Sequence, residues 1–107
     1  MRKAEVYESH ILAGILEQTD EGEFVFRYDD RYFADAGKRA ISLTLPKLKQ
    51  EYRSPFLFPF FFNMLSEGAN KRIQCLEYKI DEHDHFGLLL ATAGKDTIGT
   101  VTLKKID

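Results

Sequence analysis

The chain has one cysteine, Cys75, so it can form neither an internal disulfide nor a multi-cysteine zinc site. It also lacks an excess of positive charge. Lys+Arg 15 against Asp+Glu 17 leaves a formal net charge of −2. Its basic residues fall in scattered pairs (Lys47/Lys49, Lys71/Arg72, Lys104/Lys105) rather than the clustered surface that phosphate contacts need, which argues against direct nucleic-acid binding. No long apolar run is present. The stretch Phe56–Phe62 is far shorter than the roughly 20 residues of a membrane-spanning helix, and Pro59 interrupts it. Met1-Arg2-Lys3 runs straight into the charged, alternating Glu5–Glu8, with no signal-peptide pattern. No Pro/Gly/Ser-rich linker, charge block or repeat divides the 107 residues. A single cytoplasmic domain, 1–107, with no contact to a membrane is the expectation. At 44% hydrophobic and 30% charged, the composition is that of an ordinary globular chain with one modest core.

The patterning predicts strands first and helices second. Lys3–Leu16 reads as a strand, with Gly14 marking a bulge or a close backbone approach. In Glu23–Tyr28, Phe24, Phe26 and Tyr28 share one face. Thr19-Asp20-Glu21-Gly22 carries the turn chemistry of an antiparallel hairpin between the two. Asp29-Asp30 caps one helical turn, and Ile41, Leu43 and Leu45 alternate as a third strand stopped by Pro46. Lys47–Ser54 reads as loop. Ala69, Ile73, Leu76 and Ile80 form one apolar helical stripe, and Phe86, Leu89, Leu90 and Ala93 a second, with Asp84 as N-cap and Gly94 past the end. Ile98–Leu103 closes the chain as a strand. The expected class is α+β: a small antiparallel, partly barrel-like sheet packed with two or three short helices.

The chain carries little catalytic vocabulary. His83 and His85, with Asp81, Glu82 and Asp84, are the only dense set of metal-ligating residue types. On a helix, positions i and i+2 diverge by about 200°, and an acidic helix N-terminus with solvated histidines accounts for the same residues. Gly94-Lys95-Asp96-Thr97 has Asp where a phosphate loop needs Ser or Thr. Asp84-His85-Phe86-Gly87 has one residue too many for the kinase Asp-Phe-Gly, and no catalytic or glycine-rich loop accompanies it. Cys75 reads as a packed thiol. No cofactor, metal or catalytic residue is assigned, and the chain is not expected to be an enzyme.

The least ordinary segment is Phe56–Gly68, with five of the nine phenylalanines. If Phe60–Leu65 is helical, Phe60, Phe61, Met64 and Leu65 make one stripe, and Phe62 lies about 100° beyond Phe61. The rings can simply be core. Alternatively, those the small core cannot hold form a contiguous apolar patch that anchors another protein. On the second view Phe58, Phe60, Phe61, Phe62 and Met64 are the candidate partner-binding residues.

The order of Ser42-Leu43-Thr44-Leu45-Pro46, then Pro55, Phe61-Phe62-Asn63-Met64-Leu65-Ser66-Glu67-Gly68, Phe86-Gly87-Leu88-Leu89 and Gly94-Lys95-Asp96-Thr97-Ile98-Gly99 resembles a known family. It is similar to the N-terminal subdomain of the HipA bacterial Ser/Thr kinases, toxins of toxin–antitoxin systems, from about Ala4 to Leu103. Met64 and Ser66 depart from the family's usual Leu and Pro. In HipA this module precedes a larger kinase body. A free-standing copy resembles the HipS antitoxins of three-part HipB–HipS–HipT systems. The resemblance implies a non-catalytic antitoxin that binds and neutralises a HipT-like Ser/Thr kinase toxin, with a HipB-like DNA-binding protein as a further partner. The alternative is a regulatory or scaffolding module that completes or activates a HipA-like kinase. A small metal-dependent hydrolase using His83 and His85 is the third class, ranked last for want of an acid–base set.

Overall fold

Strand β1 (Arg2–Glu8) turns directly into β2 (Ile11–Gln18) through Ser9 and His10, whose φ values are +50° and +70°. Two successive positive φ angles suit the right-handed twist of a two-residue hairpin. The single strand expected over Lys3–Leu16 is therefore two antiparallel strands. The sequence hides the turn because neither residue is the Gly, Asn or Asp that usually marks it. Residues 2–65, 68–92 and 100–106 are described by this computed structural model.

The next hairpin follows its expectation. Strand β3 (Phe24–Tyr28) pairs with β2, and Thr19 holds the turn through its backbone and its hydroxyl, which accepts from the Glu23 N–H at 3.1 Å. Gly22 supplies the positive φ of +85°. Gly14 sits where the β1–β2 register shifts, and a Cβ there would collide with the Arg27 carbonyl oxygen and the Phe26 ring. The close approach read from the sequence is real.

Asp29 caps α1 (Asp30–Ala34), its carboxylate accepting from the Arg31 N–H at 3.1 Å. Beyond it the structure departs from the sequence reading. Ile41–Leu45 is not a strand. The Ser42 hydroxyl accepts from the Thr44 N–H and the Ser42 carbonyl from the Leu45 N–H, so the chain bends. Ile41 and Leu45 turn inward while Leu43 is 98% exposed. Lys47–Ser54 is not all loop: β4 (Glu51–Ser54) pairs with β3 at the sheet edge. Its short length and exposed charge are what protect an edge strand from further pairing, and they also mask its period.

After the one-turn helix α2 (Pro59–Phe62) come α3 (Gly68–Tyr78), α4 (His85–Thr92) and β5 (Val101–Ile106). The sheet order is β4-β3-β2-β1-β5, with every neighbouring pair antiparallel. The α+β expectation holds, with four helical segments among the described residues, two of them about one turn long. Ala93, Gly94, Ile98 and Gly99, expected at the end of α4 and the start of the last strand, lie outside the described residues.

One face of the sheet carries the core. Ala4, Val6, Leu16, Phe26, Tyr28 and Leu103 from the strands meet Tyr32, Phe61, Phe86 and Leu89 from the helices. The opposite face alternates charge across strands: Lys104 lies beside Glu5, and Arg27 beside Glu51. The stripe expected on α3 is corrected. Ile73 is 59% and Leu76 81% exposed, so its 3.6-residue period does not mark a buried face here.

Candidate partner-binding surface

Helix α2 distributes the phenylalanine-rich segment. Phe58 is its N-cap with extended backbone, and Pro59 takes the first helical position, where a missing N–H costs nothing. The Phe58 carbonyl accepts from the N–H groups of Phe61 and Phe62, and Asn63 ends the turn. Successive side chains then point about 100° apart.

Phe61 is fully buried, its ring centroid 5.8 Å from that of Phe26 and 6.4 Å from that of Phe58. Phe58 is 6% exposed. Both are core, so they leave the set of five candidate contacts; the sheet's inner face needs these rings to close over Phe26. Phe60 and Met64 are half-buried against the same cluster, and Phe62 is 42% exposed. Phe56, outside the candidate set, is the most exposed ring at 76%. The turn at Ser54, whose hydroxyl accepts from the Phe56 N–H at 3.1 Å, lifts it off the core, and no periodicity signals that.

Two concavities flank this turn. A groove of about 520 Å³ is lined by the apolar Ile41, Leu43, Pro46, Phe60, Met64 and Val101 and by the charged Glu8 and Arg39. A second, of about 350 Å³, lies between Phe56 and Phe62 over Phe24, Leu57 and Phe86. There the Phe62 ring meets His85 edge-on, centroids 5.0 Å apart. The first groove is mainly apolar, whereas the second is lined as much by polar groups, Gln18, His83, Asp84 and His85, as by its rings.

The acidic-histidine segment is committed elsewhere. The Arg2 guanidinium donates to both Asp84 oxygens at 2.9 and 2.8 Å and also grips the Gln18 side-chain oxygen. Asp84 in turn accepts from the Gly87 N–H at 3.1 Å, the capping role the sequence predicts. The hydrogen bond from Arg2 is the main reason its carboxyl is held below the usual value of 3.8. His83 points into solvent while its backbone N–H donates to Asp81. No three of His, Cys, Asp or Glu gather into a metal-binding group among the described residues. Cys75 is half-buried on α3. Gly94–Thr97 lies outside the described residues. No helix among those described is long and apolar enough to cross a membrane.

A five-stranded antiparallel sheet carrying short helices on its core face, one of them a phenylalanine-rich turn, defines a small α+β domain. The family model of the HipA N-terminal domain matches residues 4–104, and the chain belongs to that family. It is similar to a Haemophilus influenzae protein described only as uncharacterized: 30% identical over 105 residues, spanning 98% of this chain and 93% of that one. It is also similar to a solved structure, the N-terminal domain of HipA toxin. That match has a TM-score of 0.75 and 28% identity, and covers 100% of this chain and 94% of that chain. The chain is thus a module related to toxin–antitoxin systems.

Proposed function

We propose that this protein is a HipS-like antitoxin, which binds a HipT-like Ser/Thr kinase toxin in the cytoplasm and neutralises it without catalysing a reaction. The observation that carries the reading is the family match. The family match takes in 4–104, and the Haemophilus relative it aligns with almost end to end is itself about as long as the module. The matched HipA domain is a non-catalytic subdomain, in keeping with a binding role.

An antitoxin that acts on its kinase as a separate chain lacks the millimolar effective concentration that a tether provides. Nanomolar association then requires about −12 kcal/mol from the interface alone. Buried aromatic anchors are the usual source of such energy. Phe62 and Phe56 supply exposed rings, and Phe60 and Met64 extend the apolar surface around α2. On this reading a HipB-like DNA-binding protein is the further partner that the family resemblance implies.

Co-expression with a HipT-like kinase tests the role. An antitoxin restores growth. Worsened toxicity identifies an activating module instead, and unchanged toxicity with no co-purification removes the kinase from the account.

A further inference from the structure

We infer that the groove between residues 39–46 and α2, which Leu43 helps to line, receives an acidic segment of the partner protein that carries large apolar side chains. The inference rests on the proposal above only in taking that partner to be the kinase.

The loop that forms one wall is irregular yet firmly held. The Tyr28 hydroxyl accepts from the Ile41 N–H at 3.2 Å and donates to the Leu45 carbonyl. Tyr32 donates its hydroxyl to the Arg39 carbonyl at 2.7 Å, and Tyr52 donates to the Pro46 carbonyl. The Lys47 ammonium closes the base of the loop on the carbonyls of Asp35 and Lys38. Three phenols and one ammonium therefore fix the backbone on both sides of Leu43. The result is a leucine left 98% exposed on a pre-ordered support. Because the loop is ordered before any encounter, a contact through it loses little conformational entropy.

Two features choose the occupant. First, a groove of about 520 Å³ alone is of ligand size, but an outward-standing leucine gains nothing from a small ligand lying beside it. Leu43 needs an apolar recess on a macromolecule, while the groove takes an apolar side chain from that same surface. Second, the two charges at the groove are not equivalent. The Glu8 carboxylate already accepts from the Thr100 hydroxyl at 2.8 and 2.9 Å and from the Ser9 hydroxyl. The Arg39 side chain is exposed and makes no hydrogen bond or ion pair among the described residues. A carboxylate on the incoming segment completes it, with the geometry that guanidinium groups favour.

The experiment measures the Kd of the purified protein for the HipT-like kinase, comparing wild type with Leu43→Ala, Arg39→Glu and Leu48→Ala. Leu48, 89% exposed on the same loop but away from the groove, is the control. Leu43→Ala and Arg39→Glu are each expected to weaken binding at least ten-fold with thermal midpoints unchanged, and Leu48→Ala less than two-fold. A photo-crosslinker at position 43 is expected to label an acidic, apolar stretch of the kinase. Wild-type binding that both variants leave intact overturns the groove assignment and spares the kinase proposal. Labelling of a second copy of this chain, of a basic segment or of nucleic acid also overturns it. Absence of wild-type binding overturns the kinase proposal, and this inference with it.

Discussion

Arg2 and Asp84, 82 residues apart, are joined by two hydrogen bonds from one guanidinium to one carboxylate, at 2.9 and 2.8 Å. The pair fastens the first strand to the start of α4, and Asp84 simultaneously caps that helix at Gly87. Both side chains remain about a third exposed, so solvent screens the ion pair and the cap accounts for much of the effect. Asp84→Ala is expected to cost about 1–2 kcal/mol, seen as a fall of several degrees in Tm. Asp84→Asn keeps a capping acceptor and should cost about half as much. The folded-state pKa of Asp84 lies below its unfolded value of 3.8. Its contribution is therefore complete above that value and is lost as pH falls through the lower one. A Tm–pH profile below pH 4 should be shallower for Asp84→Asn than for wild type.

Tyr28 links the core to the loop that carries Leu43. Removing its hydroxyl in Tyr28→Phe leaves a buried N–H on Ile41 and a carbonyl on Leu45 without their partner. A loss of about 2–3 kcal/mol by denaturant titration is expected, with faster amide exchange at Ile41.

Burial pushes the Tyr28 phenol from 10.0 up to about 12. The raised value means its stabilisation is fully present below pH 10 and is lost as pH climbs through 12. Alkaline unfolding across that window, worth roughly 3 kcal/mol at full effect, should flatten in Tyr28→Phe.

The rings of the phenylalanine-rich segment should separate by measurement. Phe61→Ala empties a fully buried site and should cost about 3–5 kcal/mol of stability. Phe56→Ala and Phe62→Ala, at 76% and 42% exposure, should each cost about 1 kcal/mol or less. Thermal melts of the three variants check the division.

Local chemistry was readable where side chains act on their own neighbourhood. The Thr19–Gly22 turn, the Asp29 and Asp84 caps, the close approach at Gly14 and the inward face of Phe24, Phe26 and Tyr28 all follow from the sequence. What escaped depends on contacts distant in the chain. Ile41, Leu43 and Leu45 alternate like a strand, yet the Tyr28 hydroxyl draws the segment into a bend. Ile73 and Leu76 keep helical spacing on a helix that covers nothing at those positions among the described residues. At the candidate surface, periodicity ranked five residues together, and packing against Phe26 divided them. No repeat marks Phe56, because its exposure comes from a hydroxyl-capped bend at Ser54.

Isothermal titration of the purified protein into a purified HipT-like kinase tests the central claim most directly. The account predicts nanomolar binding with suppression of kinase activity, weakened at least ten-fold by Phe62→Ala while Tm falls by no more than a few degrees. No heat of binding at micromolar concentrations, or affinity indifferent to Phe62 and Phe56 together, would contradict it.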